Sequence, residues 1–253
     1  MTRPKKTRGF QPFQVKKTEL FSTPFYTMRF IADYEEIVRD VRKAVSLSEQ
    51  QFSDDSTRNY TTYFNMDAQH KYISNTEWCK QLATSLKDTY VDLMHKEFLF
   101  SPKDLGLTRD KVHLMLWVNR YTGEHQHLAH NHKGSKISGT FYVKTRQPCA
   151  PIVFESPTEY ANMIFATQDL PDIFPDDRMG FNGVPAVQKE MNFRPQDGDI
   201  CLWPSYLYHH VPAQPDQEER ISISFNLNHH DDLGFGYSDE VLDKLDYGFL
   251  HHE

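Results

Sequence analysis

Two hydrophobic periods divide this chain. Between residues 33 and 49, Tyr34, Ile37, Val38, Val41 and Val45 recur every three or four positions, which is the spacing of one helix face. Acids come early in this stretch and basic residues later, as the helix dipole favours. A second helical stripe, Trp78, Leu82, Leu86, Tyr90 and Met94, follows Thr76 and ends near Lys96. Thr76 is suited to cap its start. The polar run SEQQFSDDSTRN between the two stripes reads as a loop, and residues 18–31 (TELFSTPFYTMRFI) read as a strand-like opening with a turn at Ser22-Thr23-Pro24.

From about residue 112 the period shortens to two. The expected strands are 112–120, 126–132, 137–144, 151–155, 191–194, 199–203, 208–212 and 220–228. They are punctuated by Gly123, Gly134, Pro148, Pro157, Pro195 and Gly198. Many short strands behind two helices predict a mainly β (α+β) protein, a sandwich or barrel with a helical flank. Residues 157–190 show no clear period and read as a long insertion, the kind of segment that is either a functional lid or disordered.

Composition narrows the class. A chain of 253 residues with 18 Phe and 13 Tyr can fill a core. The net charge of −7 disfavours broad nucleic-acid binding. Residues 1–17, however, hold Arg3, Lys5, Lys6, Arg8, Lys16 and Lys17 and no acid. This basic arm reads either as a solvated terminus or as a contact for nucleic acid or another acidic partner. Cys79, Cys149 and Cys201 are odd in number and far apart, which fits a reducing, cytoplasmic setting. No apolar run is long enough to span a bilayer, and the basic start lacks the apolar segment of a secretory signal.

The candidate chemistry lies in histidines. On a strand, His130 and His132 would share a face and could offer two nitrogens to one metal ion. A rival pair, His125 and His127, lies just upstream, and spacing alone does not choose between them. With 13 histidines in the chain, pairs such as His229-His230 and His251-His252 arise by chance. In GDICLWPSYLYHHVPA, a strand end delivers His209, a third possible ligand, while the adjacent His210 would point away. Arg220 and Ser222 then share a face, with Ile221, Ile223 and Phe225 on the other. An arginine in the wall of an apolar sheet needs an anion, and a carboxylate suits it. The plainer alternative is a surface ion pair with Glu218 or Glu219.

Taken together these segments resemble the iron- and 2-oxoglutarate-dependent oxygenases, in particular a group found in bacteria and phages. The group's pattern is W-x-N, H-x-H-x-x-S-x-x-S-G-x-Y-Y-V, F-P-S-x-L-x-H-x-V and R-x-S-x-S-F-N. The matching segments here are Trp117 to Asn119, His130 to Val143, Trp203 to Val211 and Arg220 to Asn226, and LFSTPFY at 20–26 is similar to the start of such proteins.

The resemblance implies a double-stranded β-helix, or jelly-roll, and a dioxygenase that uses Fe(II), 2-oxoglutarate and molecular oxygen. It would hydroxylate an unidentified substrate and release succinate and carbon dioxide. Iron would sit among His130, His132 and His209. Arg220, helped by Ser222, would hold the far carboxylate of 2-oxoglutarate, with Asn119 and Tyr142 as further polar contacts or as ordinary satisfied core groups. Many relatives in the wider superfamily have a carboxylate where His132 stands, so either three histidines ligate or a carboxylate such as Glu155 completes the set. The expected organisation is a basic arm at 1–17 and one oxygenase domain at 18–253. That domain would comprise a helical flank to about 110 and a jelly-roll core over about 111–230. Residues 157–190 would cover the substrate, with Tyr160, Phe165, Phe174 and Phe181 either lining that cover or packing it onto the body. Two other readings stand beside this one: a cupin-type three-histidine dioxygenase that needs no keto acid, and a non-catalytic jelly-roll binding protein.

Overall fold

The structure, a computed structural model, describes residues 23–96, 106–123, 125–145, 149–157, 172–173, 179–184, 187–213 and 218–229. The helices form where their apolar stripes lie. Helix α1 (Tyr34–Gln51) starts at Asp33, whose carboxylate accepts from the backbone N–H groups of Glu35 and Glu36. That cap satisfies donors the helix itself cannot. Helix α3 (Glu77–Lys96) starts at Thr76, whose hydroxyl accepts from Cys79 N at 3.3 Å. Between them the chain is not purely loop. Asn65 caps a single turn, α2 (Met66–Gln69), which runs directly into a π-helical turn at His70–Ser74. That segment is too short for periodicity to reveal.

Eleven strands form two sheets among the described residues. In order they are β1 (Tyr26–Arg29), β2 (Val112–Tyr121), β3 (His127–His130), β4 (Ile137–Lys144), β5 (Ile152–Glu155) and β6 (Asp172–Ile173). They continue with β7 (Met179–Val184), β8 (Val187–Phe193), β9 (Asp199–Pro204), β10 (His209–Val211) and β11 (Arg220–His229). One sheet runs β1-β9-β4-β11-β2 and the other β3-β10-β5-β8-β7-β6. All pairings are antiparallel. This is the jelly-roll expected from the sequence, with two facing sheets and no closed barrel. The stretch 157–190 is not structureless: β6, β7 and most of β8 fall inside it. Tyr160, Phe165 and Phe174 lie outside the described residues.

The two faces of the first sheet have different jobs. Ile221, Ile223, Phe225 and Leu227 on β11 join Leu114, Leu116, Val118, Phe141 and Ile200 and pack against α1 and α3. Gly139 belongs to this face, because a Cβ there would lie 2.3 Å from the Phe225 ring. The other face looks into the sandwich, where Tyr142, Cys201 and Trp203 meet Ile152, Phe154, Phe193 and Val211. On this inner side β11 presents Arg220, Ser222 and Ser224. Cys79, Cys149 and Cys201 are buried, and none forms a disulfide among the described residues. Among the described residues, no helix is long and apolar enough to cross a membrane.

Candidate metal and anion site

Register brings the histidines together. Strand β10 pairs with β3 so that His209 faces His130. Two residues on, Val211 pairs with His127, where a regular ladder would put Leu128. This bulge adds one residue to β3, and an added residue reverses which side chains face inward. His127 is thereby turned toward the site and stacks on His130, with ring centroids 4.3 Å apart, while Leu128 is left 73% exposed. The rival pair is split as a result. His127 borders the site and lies 3.3 Å from the Tyr121 hydroxyl, whereas His125 accepts through Nδ1 from Thr122 N at 3.0 Å.

His130, His132 and His209 form one cluster, each with a ring nitrogen within 4.8 Å of the others. Each Nδ1 has an oxygen acceptor: Leu128 O for His130 at 2.8 Å, Asn226 Oδ1 for His132 at 2.5 Å, and Leu207 O for His209 at 3.0 Å. Oxygens of this kind only accept, so Nδ1 carries the proton and Nε2 the lone pair in all three rings. Nε2 of His130 lies 3.1 Å from Nε2 of His132. Two lone pairs at that distance repel unless a proton or a cation stands between them. Burial lowers all three basicities, His132 to about 4 and His209 to about 3. At neutral pH a proton is therefore disfavoured, and the arrangement suits a divalent cation.

The partners behind these rings are themselves held. Asn226 Oδ1 also accepts from Ser138 Oγ at 2.8 Å, and Ser138 is 2.7 Å from Ser205 Oγ. His132 N donates to Ser205 O at 2.9 Å. Trp117 stacks on the His132 ring at 5.8 Å. Sequence reasoning singled out none of Asn226, Ser138 or Ser205 as a site residue. The signal that could have found them was the alternation in which Asn226 follows Arg220, Ser222 and Ser224 on one face of β11.

Arg220 is 2% exposed, and among the described residues its Nε and Nη1 have no hydrogen-bond partner. The faces of Tyr121 and Tyr142 flank the guanidinium at 5.2 and 5.3 Å. Burial raises both phenols above their ordinary range, so neither supplies a counter-charge. The neighbouring Glu219 is committed elsewhere. It binds Arg42 of α1, Arg120 of β2 (2.7 Å) and Lys144 of β4 (2.8 Å). The surface ion pair considered for Arg220 is thus made by Glu219 with other partners. A buried guanidinium lacking an anion is costly, and cation–π contact offsets only part of that cost.

Arg220, Ser222 and Ser224 line a narrow chamber together with His127, His130, His132, His209 and Tyr142. At about 30 Å³ it is on the scale of a water molecule or two, so a larger ligand requires its walls to give. A second bulge lies beside it. Ile221 pairs with Lys144 but Ser222 with Tyr142, which skips Val143. Asn119 is buried and donates to Ser224 Oγ at 3.1 Å, and its Oδ1 has no partner among the described residues. It borders an outer cleft of about 850 Å³ that reaches His127, His130 and His132, with Tyr63, Phe64 and Leu128 at its exposed rim. Glu155 does not join the cluster. It lies 4.0 Å from Nδ1 of His210, which does not belong to the cluster either.

The two sheets of the jelly-roll thus bring together three imidazoles and a buried arginine, a set of side chains that suits a metal ion beside an anion. Residues 115–226 match a family model described as "Putative 2OG-Fe(II) oxygenase". No curated protein matched the chain. Among solved structures, a prolyl-4-hydroxylase from Pseudomonas putida is 12% identical with a TM-score of 0.48, covering 83% of this chain and 94% of that one. The viral collagen prolyl hydroxylase vCPH from Paramecium Bursaria Chlorella virus-1 is 11% identical with a TM-score of 0.44, covering 81% and 96%. The α-ketoglutarate-dependent epimerase SnoN from nogalamycin biosynthesis is 12% identical with a TM-score of 0.45, covering 82% and 78%.

Proposed function

We propose that the protein is an Fe(II)- and 2-oxoglutarate-dependent dioxygenase that hydroxylates a substrate entering through the outer cleft. His130, His132 and His209 would hold the metal through Nε2. Fe(II) bound there would supply the oxidative chemistry that consumes molecular oxygen and 2-oxoglutarate and yields succinate, carbon dioxide and an oxidised substrate. The observation that carries this reading is Arg220, a buried cation without an anion in the same chamber as the imidazole cluster.

Arg220 would take the far carboxylate of the keto acid. The Ser222 hydroxyl stands on the same face of β11 to donate to it, and Tyr121 and Tyr142 hold the guanidinium flat between their rings. Pairing here gives the guanidinium its missing acceptors and removes water from the chamber, which strengthens the contact. The Leu128, Leu207 and Asn226 oxygens keep the three imidazoles in one tautomer and orientation. Asn119, between the chamber and the cleft, is placed to contact either the keto acid or the substrate.

The test is turnover. Protein with Fe(II), 2-oxoglutarate and oxygen is expected to form succinate slowly even without primary substrate, and Arg220→Ala to abolish it. Iron-loaded protein that forms no succinate and does not bind 2-oxoglutarate would overturn the proposal. The neutral three-histidine set also suits a cupin-type dioxygenase, and oxidation of a substrate without any keto acid would select that reading. Under it Arg220 has no counter-charge.

A further inference from the structure

The inner chamber holds a second orphan. Trp203 is 1% exposed, and its indole Nε1–H has no hydrogen-bond partner among the described residues. Buried indoles usually find an acceptor, and in this protein Trp78 does so, donating to Asp40 at 3.2 Å. Trp203 lines the chamber and packs edge-on against two rings, His209 at 4.9 Å and Phe154 at 5.0 Å. Its ring is thus fixed by packing while its one polar atom is left over.

Register shows which end of the chamber it occupies. Trp203 pairs with Ser138 across β9 and β4, and Ser138 pairs with Asn226 across β4 and β11. Asn226 is the acceptor for His132. Trp203 therefore sits at the level of the imidazole cluster. Arg220 lies six residues away along β11, beyond Ser224 and Ser222. The chamber is lined by Arg220 and, beside the histidines, by Trp203, each with a buried donor that has no acceptor among the described residues.

We infer that Trp203 is a positioning residue for the keto acid, its Nε1–H donating to the carboxylate at the metal end while Arg220 holds the carboxylate at the far end. This rests on the proposed use of 2-oxoglutarate and assigns the metal-side end of that ligand a partner of its own. An indole N–H is a donor only, so it discriminates in favour of an anion or carbonyl there and against another donor. It carries no charge, so it adds no repulsion to the cation held by the histidines.

The test uses full-length protein loaded with Mn(II), which binds without turnover, titrated with 2-oxoglutarate and with 4-oxobutanoate. The second probe keeps the far carboxylate and the carbonyl but lacks the metal-side carboxylate. Trp203→Phe is expected to weaken 2-oxoglutarate about ten-fold or more, in line with loss of a hydrogen bond to a charged group. It should leave Mn(II) affinity and 4-oxobutanoate affinity within about two-fold. Arg220→Lys should weaken both probes. Because Phe also shortens the ring, a second variant carries benzothienylalanine at position 203, which keeps the ring shape and replaces only the N–H. It should show the same selective loss. Equal loss for both probes, loss of Mn(II), or a benzothienylalanine variant that binds like wild type would overturn the inference and leave the proposed function standing. If wild type binds no 2-oxoglutarate, both fall.

Discussion

At the residue scale, the site works through what stands behind the histidines. Three imidazoles offer three lone pairs to one point only because three oxygens take up the other nitrogens. Of these, Asn226 is the one side chain, and Ser138 and Ser205 hold it. Asn226→Ala frees the His132 ring to rotate and to change tautomer. Its affinity for Zn(II), measured by competition with a chromophoric chelator, is expected to fall about 10- to 100-fold. An unchanged affinity would mean that His132 is oriented by packing against Trp117 instead. The HxH motif and His209 were legible because ligands must be particular residue types. Asn226 was not, since an amide on a strand face has many ordinary uses. Spacing alone could not choose between His125-His127 and His130-His132, and only the run of the second pair into ISGTFYV favoured it. A single inserted residue in β3 decides it, and period-two reasoning assumes that no such residue exists.

At the scale of elements, two strands set the geometry. Strand β11 separates the helical core from the chamber by simple alternation, and this is why its role could be read from RISISFN alone. Helices α1 and α3 were equally plain, since each carries a long apolar stripe behind a capping residue. The π-helical turn at His70–Ser74 and the strands within 157–190 escaped, because short or weakly patterned segments gain their structure from neighbours. Strand β4 shows how tightly the sheet is fitted. A Cβ at Gly139 would meet the Phe225 ring at 2.3 Å and the Cys201 carbonyl at 2.6 Å. Gly139→Ala is expected to destabilise the protein by about 1–3 kcal/mol, seen as a lowered midpoint in urea with an unchanged slope. A wild-type midpoint would show that the ring moves aside freely.

At the scale of the molecule, one carboxylate ties the layers together beside the chamber. Glu219 joins α1 through Arg42, β2 through Arg120 and β4 through Lys144. Burial works to raise its carboxyl, but the hydrogen bonds from these three cations prevail and pull it from 4.5 down to about 2. A depressed carboxylate stabilises the fold fully above its unfolded value and loses that contribution as pH falls toward its folded value. Wild type is therefore expected to exceed Glu219→Gln in stability most clearly at neutral pH. The gap should narrow between about pH 4.5 and 2, as followed by urea unfolding across that range. A gap that stays constant with pH would show that the Glu219 charge is not what holds the layers.

The proposed function requires that the imidazole cluster and Arg220 form one site, reading a metal and a keto acid together. The most direct measurement is an anaerobic calorimetric titration of 2-oxoglutarate into the protein with and without Fe(II). The expected result is one equivalent bound to the iron form, much weaker binding to the metal-free form, and loss of binding in Arg220→Ala while iron is retained. An iron form that binds no 2-oxoglutarate, or binding that ignores both the metal and Arg220, would contradict the account.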